Sequence, residues 1–154
     1  FRERTGVDLW RDIDTGKEAV ERVSRFISRN SRGLAELAKY ILEALSERMS
    51  SPNLKTYIAD DEATKELKSI GLFEKALSKL DPSLDASTFV QFIRNINSVR
   101  QIDSHLMSSA DIGKHLQKVN LPEGLSSFEQ GAQLIEYANE GIGDLVNVLK
   151  PKSP

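Results

Sequence analysis

The sequence predicts an all-α fold: a compact bundle of six to eight helices, with a HEAT-like superhelical arrangement as the open variant. Three observations lead there. Apolar residues recur every three or four positions along almost the whole chain, the period that lines one face of a helix. No stretch of five or more residues alternates apolar and polar side chains as a half-buried strand does. Helix-start signals and Gly, Pro, Asn or Asp breakers divide the stripes from one another.

Residues 1–14 read as an N-terminal arm ahead of one helical domain over 15–150. The arm holds the lone tryptophan, Trp10, in Val7-Asp8-Leu9-Trp10. Packing onto the bundle accounts for so large a side chain, and an exposed anchor for another protein is the alternative. Thr15 and Glu18 have capping-box spacing ahead of a stripe at Val20, Val23, Phe26 and Ile27. A second stripe runs through Leu34, Leu37, Ala38, Ile41, Leu42, Leu45 and Met49. A break near Asn30–Gly33 separates the two, because Asn-Ser-Arg-Gly is poor helix material and Gly costs ~1 kcal/mol relative to Ala. The seven-residue spacing of Val20, Ile27, Leu34 and Ile41 leaves one long helix as the alternative. Ser50-Ser51-Pro52 ends this region, since the residue before a proline is pushed out of helical geometry.

Leu54, Tyr57, Ile58, Leu67 and Ile70 mark the next segment, with Asp60-Asp61-Glu62 placed to begin a helix and Gly71 to stop it. A short helix with Phe73, Ala76, Leu77 and Leu80 closes at Asp81-Pro82. Another starts after Asp85 and buries Phe89, Phe92, Ile93 and Ile96. Ile102, Leu106 and Met107 suit a single turn or a short helix. Ser109 or Asp111 then caps a helix with Ile112, Leu116 and Val119, and residues 121–124 form a connection. Ser126 and Glu129 repeat the capping-box spacing. They open a final helix with Phe128, Ala132, Ile135, Ala138, Ile142, Leu145 and Leu149, ended by Pro151.

Composition narrows the function. The chain has 154 residues, 39% of them hydrophobic, and no cysteine, so thiolate ligands, disulfides and a cysteine nucleophile are excluded. A reducing, intracellular home is compatible with this. The start at Phe1 rather than Met reads as a segment of a longer protein. The net charge is −2, and no Lys or Arg occurs between Leu121 and Leu149. Nucleic-acid binding depends on clustered cations that release counterions from phosphates, so this pattern argues against it as the main task. His105 and His115 are too far apart for the i, i+4 metal pair, and no phosphate loop or nucleophile elbow occurs. Gly141-Ile142-Gly143 fits a close helix contact or a frayed end. The expected protein is not an enzyme and needs no cofactor or metal.

From Gly71 to Leu121 the order of features resembles the N-terminal domain family of the transcription elongation factor TFIIS. The residues that carry the likeness are Gly71-Leu72-Phe73-Glu74-Lys75-Ala76-Leu77-Ser78-Lys79-Leu80, Ser83-Leu84-Asp85, and 89–96 from Phe89 through Arg94 to Ile96. Ile102-Asp103-Ser104-His105-Leu106 follows. The most telling piece is Ser108-Ser109-Ala110-Asp111-Ile112-Gly113-Lys114-His115-Leu116-Gln117-Lys118-Val119, with its Ile-Gly-Lys tripeptide. The likeness spans about 50 residues, and its weight lies in the ordered set rather than in any tripeptide.

The resemblance implies a small helical bundle of the nucleus that binds short disordered protein motifs with an aromatic anchor and acidic flanks. It implies a notch with Leu84 and Asp85 on one wall and Val119, Asn120 and Leu121 on the other. Asp85 would accept hydrogen bonds from the partner's backbone, and Arg94, Arg100, Lys114 and Lys118 would face its acidic flanks. Read without the resemblance, Asp85 is a helix cap, Leu84 core, and the four cations a solvated face. The leading expectation is thus a protein-interaction module of transcription elongation or chromatin factors. The alternative is a structural or self-associating helical scaffold.

Overall fold

The computed structural model describes residues 1–11, 14–26, 30–59, 64–103, 108–122 and 124–150. Among them are eight α-helices and no sheet: α1 (Arg2–Thr5), α2 (Asp14–Arg25), α3 (Ser31–Leu45), α4 (Ser51–Ile58), α5 (Ser69–Leu80), α6 (Ala86–Arg100), α7 (Ser109–Gln117) and α8 (Ser127–Leu149). A 3₁₀ turn, Gln101–Asp103, follows α6. Asp60-Asp61-Glu62, Ile27, His105, Leu106, Met107, Glu123 and Pro151 lie outside the described residues.

Two central helices organise the bundle. α3 packs against α2, α6 and α8, while α6 packs against α5, α7 and α8. Contacts between elements so distant in sequence make a bundle rather than a stack in which each helix touches only its neighbours. The core holds Leu34, Leu37, Ala38 and Ile41 of α3, Leu72, Phe73 and Leu77 of α5, and Val90, Ile93 and Ile96 of α6, each no more than 2% exposed. Rings at stacking distance run through it from Phe1 to Phe73, Phe89, Phe92 and Tyr137, with centroids 5.2–6.4 Å apart. That chain links the arm, α5, α6 and α8.

The arm reaches the core through Leu9. Leu9 is 2% exposed, and its carbonyl accepts from the Ser50 N–H at 2.8 Å. An isolated antiparallel bridge joins Trp10 to Met49, and the Trp10 indole N–H donates to the Leu45 carbonyl at 3.2 Å. Trp10 is thus tied to the end of α3 through its indole N–H and its backbone, while its side chain is among the exposed large apolar ones, at 36%. The Arg4 guanidinium donates to the Val148 carbonyl at 2.8 Å and to the Leu80 carbonyl at 3.4 Å. One cation thus serves the negative ends of α8 and α5 together.

Helix starts follow side-chain chemistry. Asn30 caps α3 by accepting from the Gly33 N–H at 2.8 Å, so the break falls before Ser31 and Gly33 lies inside the helix. Thr15 likewise lies within α2, not ahead of it. Ser50 caps α4, with Pro52 in the first turn, where its missing N–H costs nothing. Gly71, expected as a stop, is the third residue of α5; packing of Leu72, Phe73, Ala76 and Leu77 outweighs its low propensity. Ser108, rather than Ser109 or Asp111, caps α7 by accepting from the Asp111 N–H. The Ser126–Glu129 capping box is complete in both directions, at 3.3 and 2.8 Å.

Acid sensitivity follows from these starts. The Ser87 hydroxyl, then Thr88, holds the Asp85 carboxyl below its ordinary pKa. The Ser108 hydroxyl, then Lys114, does so for Asp111, and the Ser126 hydroxyl for Glu129. A depressed carboxyl contributes stability that is present above the unfolded value, about 4, and is lost as pH falls through the folded one. Helical circular dichroism in mild urea should fall on acidification below about pH 4. The triple variant Asp85→Asn, Asp111→Asn, Glu129→Gln should show a shallower fall, and an unchanged slope would remove these caps as its source.

Candidate functional site

The turn between α5 and α6 is built by two acids in sequence. The Asp81 carboxylate accepts from the Ser83 N–H at 3.1 Å, and its carbonyl accepts from Leu84 N–H at 3.0 Å. Asp85 then starts α6: one carboxylate oxygen accepts from the Ser87 N–H at 3.1 Å, the other from the Thr88 hydroxyl at 3.0 Å. Leu84, half-buried, leans on the core beside it.

Across from this turn lies the C-terminal half of α8, and between them is a groove of ≈ 440 Å³. Its floor is apolar, from Leu77, Phe89, Phe92 and Leu145. Leu84, Asp85 and Thr88 stand on one side, and Gly141, Asp144 and Val148 on the other. Gly141 explains the close approach: a Cβ there would overlap the Phe92 ring. A second depression of ≈ 500 Å³ shares Thr88, Phe92, Gly141 and Asp144 with the first. It extends past Gln91, Arg94 and Asn95 of α6 and Tyr137 and Glu140 of α8. There the Gln91 amide donates to Asn95 at 2.8 Å, and the Asn95 amide donates to the Tyr137 hydroxyl at 3.1 Å. The combined trough carries three carboxylates, Asp85, Glu140 and Asp144, against one cation, Arg94.

The notch residues separate on this geometry. Leu84 and Asp85 line the groove, and Asp85 is also the helix cap. Val119 and Leu121 are each 1% exposed and belong to the core, so the second wall comes from α8 in their place. Asn120 is exposed in a left-handed turn with φ 57°, outside the groove. Arg94 borders the trough. Arg100 pairs with Glu47 at 2.9 Å and Lys114 with Asp111 at 2.9 Å, both away from it. Lys118, exposed at the end of α7, does not line it either. Sequence reasoning missed Phe92, Asp144 and Val148 as groove residues. The glycine pair was the available signal, and the close-contact explanation holds for Gly141, while Gly143 faces open space.

Among the described residues no group of three or more His, Asp or Glu side chains is placed to hold a metal ion. No described helix is long and apolar enough to cross a membrane. Comparison with protein-family models, curated proteins and solved structures finds no match to this chain.

Proposed function

We propose that this chain is a protein-interaction module that receives an apolar or aromatic side chain of a partner's disordered segment in the α6–α8 groove. The role is non-enzymatic, and the TFIIS-like order of residues 71–121 supports a setting among transcription elongation or chromatin factors in the nucleus. The observation that carries the reading is the groove: an apolar floor, open to solvent, with Leu84 and Asp85 on its wall. A rigid pit of this kind suits a single anchor, because the module orders little of itself and the partner bears the entropic cost of folding onto it. Self-association keeps a footing in Phe128 and Val146, 61% and 46% exposed on α8.

The test is a ¹⁵N-correlation titration with a decapeptide of uncharged residues around one Phe. Shifts are expected at Leu84, Thr88, Gly141 and Val148, and Leu84→Ala should weaken binding about tenfold, the equivalent of ~1.4 kcal/mol. Asn120→Ala, outside the groove, should leave affinity unchanged. Shifts confined to other faces, or no binding up to millimolar peptide, would remove the groove as the site. Sedimentation as a monomer at tens of micromolar would retire self-association.

A further inference from the structure

We propose that the segment taken by this groove is basic beside its anchor, with Lys or Arg following the apolar residue at alternate positions. This rests on the reading of the α6–α8 groove as the docking site and specifies the partner's chemistry. The resemblance implies acidic flanks; the charges lining the trough are arranged for the opposite sign.

α8 supplies the charge. Its 23 residues contain no Lys or Arg, and its acids are Glu129, Glu136, Glu140 and Asp144. Two successive spacings of four keep the last three on one side of the helix. Asp144 stands at the mouth of the apolar pit, and Glu140 lies one turn farther along the trough. Both are exposed and neither has an ion pair among the described residues. Of the four cations assigned to acidic flanks, only Arg94 borders the trough; Arg100 is tied to Glu47, Lys114 to Asp111, and Lys118 lies at the end of α7.

The spacing suits an extended chain. Residues i and i+4 of a helix are separated by roughly 6 Å along its axis. Alternate residues of an extended segment are separated by roughly 6.6 Å. A partner with its anchor over Phe92 and Leu145 would set one cation on Asp144 and the next on Glu140. Facing them, the Gln91 and Asn95 amides offer donors and acceptors suited to a peptide backbone. Carboxylate–cation hydrogen bonds are stronger than neutral ones, and clustered rim charge raises the association rate. The same carboxylates repel a polyanion, so nucleic acid is a poor occupant of this trough.

The experiment compares three peptides of equal length around one Phe: Phe-Ser-Lys-Ser-Lys, Phe-Ser-Ser-Ser-Ser and Phe-Ser-Glu-Ser-Glu cores, with the intact chain at low and high salt. The Lys peptide should bind about tenfold or more tightly than the serine peptide, and the Glu peptide more weakly than both. Salt should erode the Lys preference, because exposed charges are screened. Glu140→Gln with Asp144→Asn should remove the preference, so that the Lys peptide binds no more tightly than the serine peptide. Asp85 is left intact because it caps α6. Equal binding of all three, or a preference for the Glu peptide, would overturn the basic flank while the docking groove stands. Failure of all three to bind would end both.

Discussion

Deleting residues 1–10 is expected to abolish cooperative unfolding or to lower stability by more than ~4 kcal/mol. Leu9 alone is 2% exposed, and truncating such a leucine to alanine typically costs about 2–5 kcal/mol. The deletion also removes Phe1, whose ring meets Tyr57 at 5.9 Å and Phe73 at 6.4 Å. It leaves the Leu45 carbonyl without the Trp10 indole and the α5 and α8 ends without Arg4. Whole domains of this size have only about 5–15 kcal/mol in hand. Urea denaturation followed by circular dichroism reads the effect, and Leu9→Ala should reproduce about half of it. A truncated chain within ~1 kcal/mol of the parent would show that the helical domain folds without the first ten residues, as the division into arm and domain implies.

That division shows where the sequence was legible. Helices α3, α5, α6 and α8 stand out because each repeats its apolar residues over several turns, and repetition is a local signal. The break before α3, the Asp85 cap and the Ser126–Glu129 box are local as well, each written within four residues. The arm has no period to detect; Phe1, Leu9 and Trp10 acquire meaning only against Phe73 and Met49, dozens of residues away. Gly71 misleads for the same reason, since tertiary burial of its neighbours overrides propensity. The groove divides along this line too. Its Leu84–Asp85 wall is a turn that can be read in place. Its α8 wall depends on how α8 crosses α6, and Val119 and Leu121, adjacent in sequence to an exposed turn, face inward instead.

The crossing itself is testable through Phe92 and Gly141, and the sign of one substitution should reverse with the other. Phe92 is 7% exposed and meets Phe89 at 5.7 Å and Tyr137 at 5.3 Å, so Phe92→Ala should cost about 3–5 kcal/mol. In the parent, Gly141→Ala gains ~1 kcal/mol of helix propensity. It loses toward the upper end of about 1–3 kcal/mol, because the added Cβ would overlap several atoms of the buried Phe92 ring at once, so the net effect is destabilising. With the ring removed, only the propensity gain remains. Gly141→Ala should then stabilise the Phe92→Ala chain by up to ~1 kcal/mol. The coupling in the double-mutant cycle equals the cost of the overlap, about 1–3 kcal/mol. Equal effects of Gly141→Ala in both backgrounds would mean that helix α8 does not need a glycine to reach the aromatic floor. The groove would then owe its shape to something other than this contact, because a helix free to approach at any residue has no reason to seat itself at that depth.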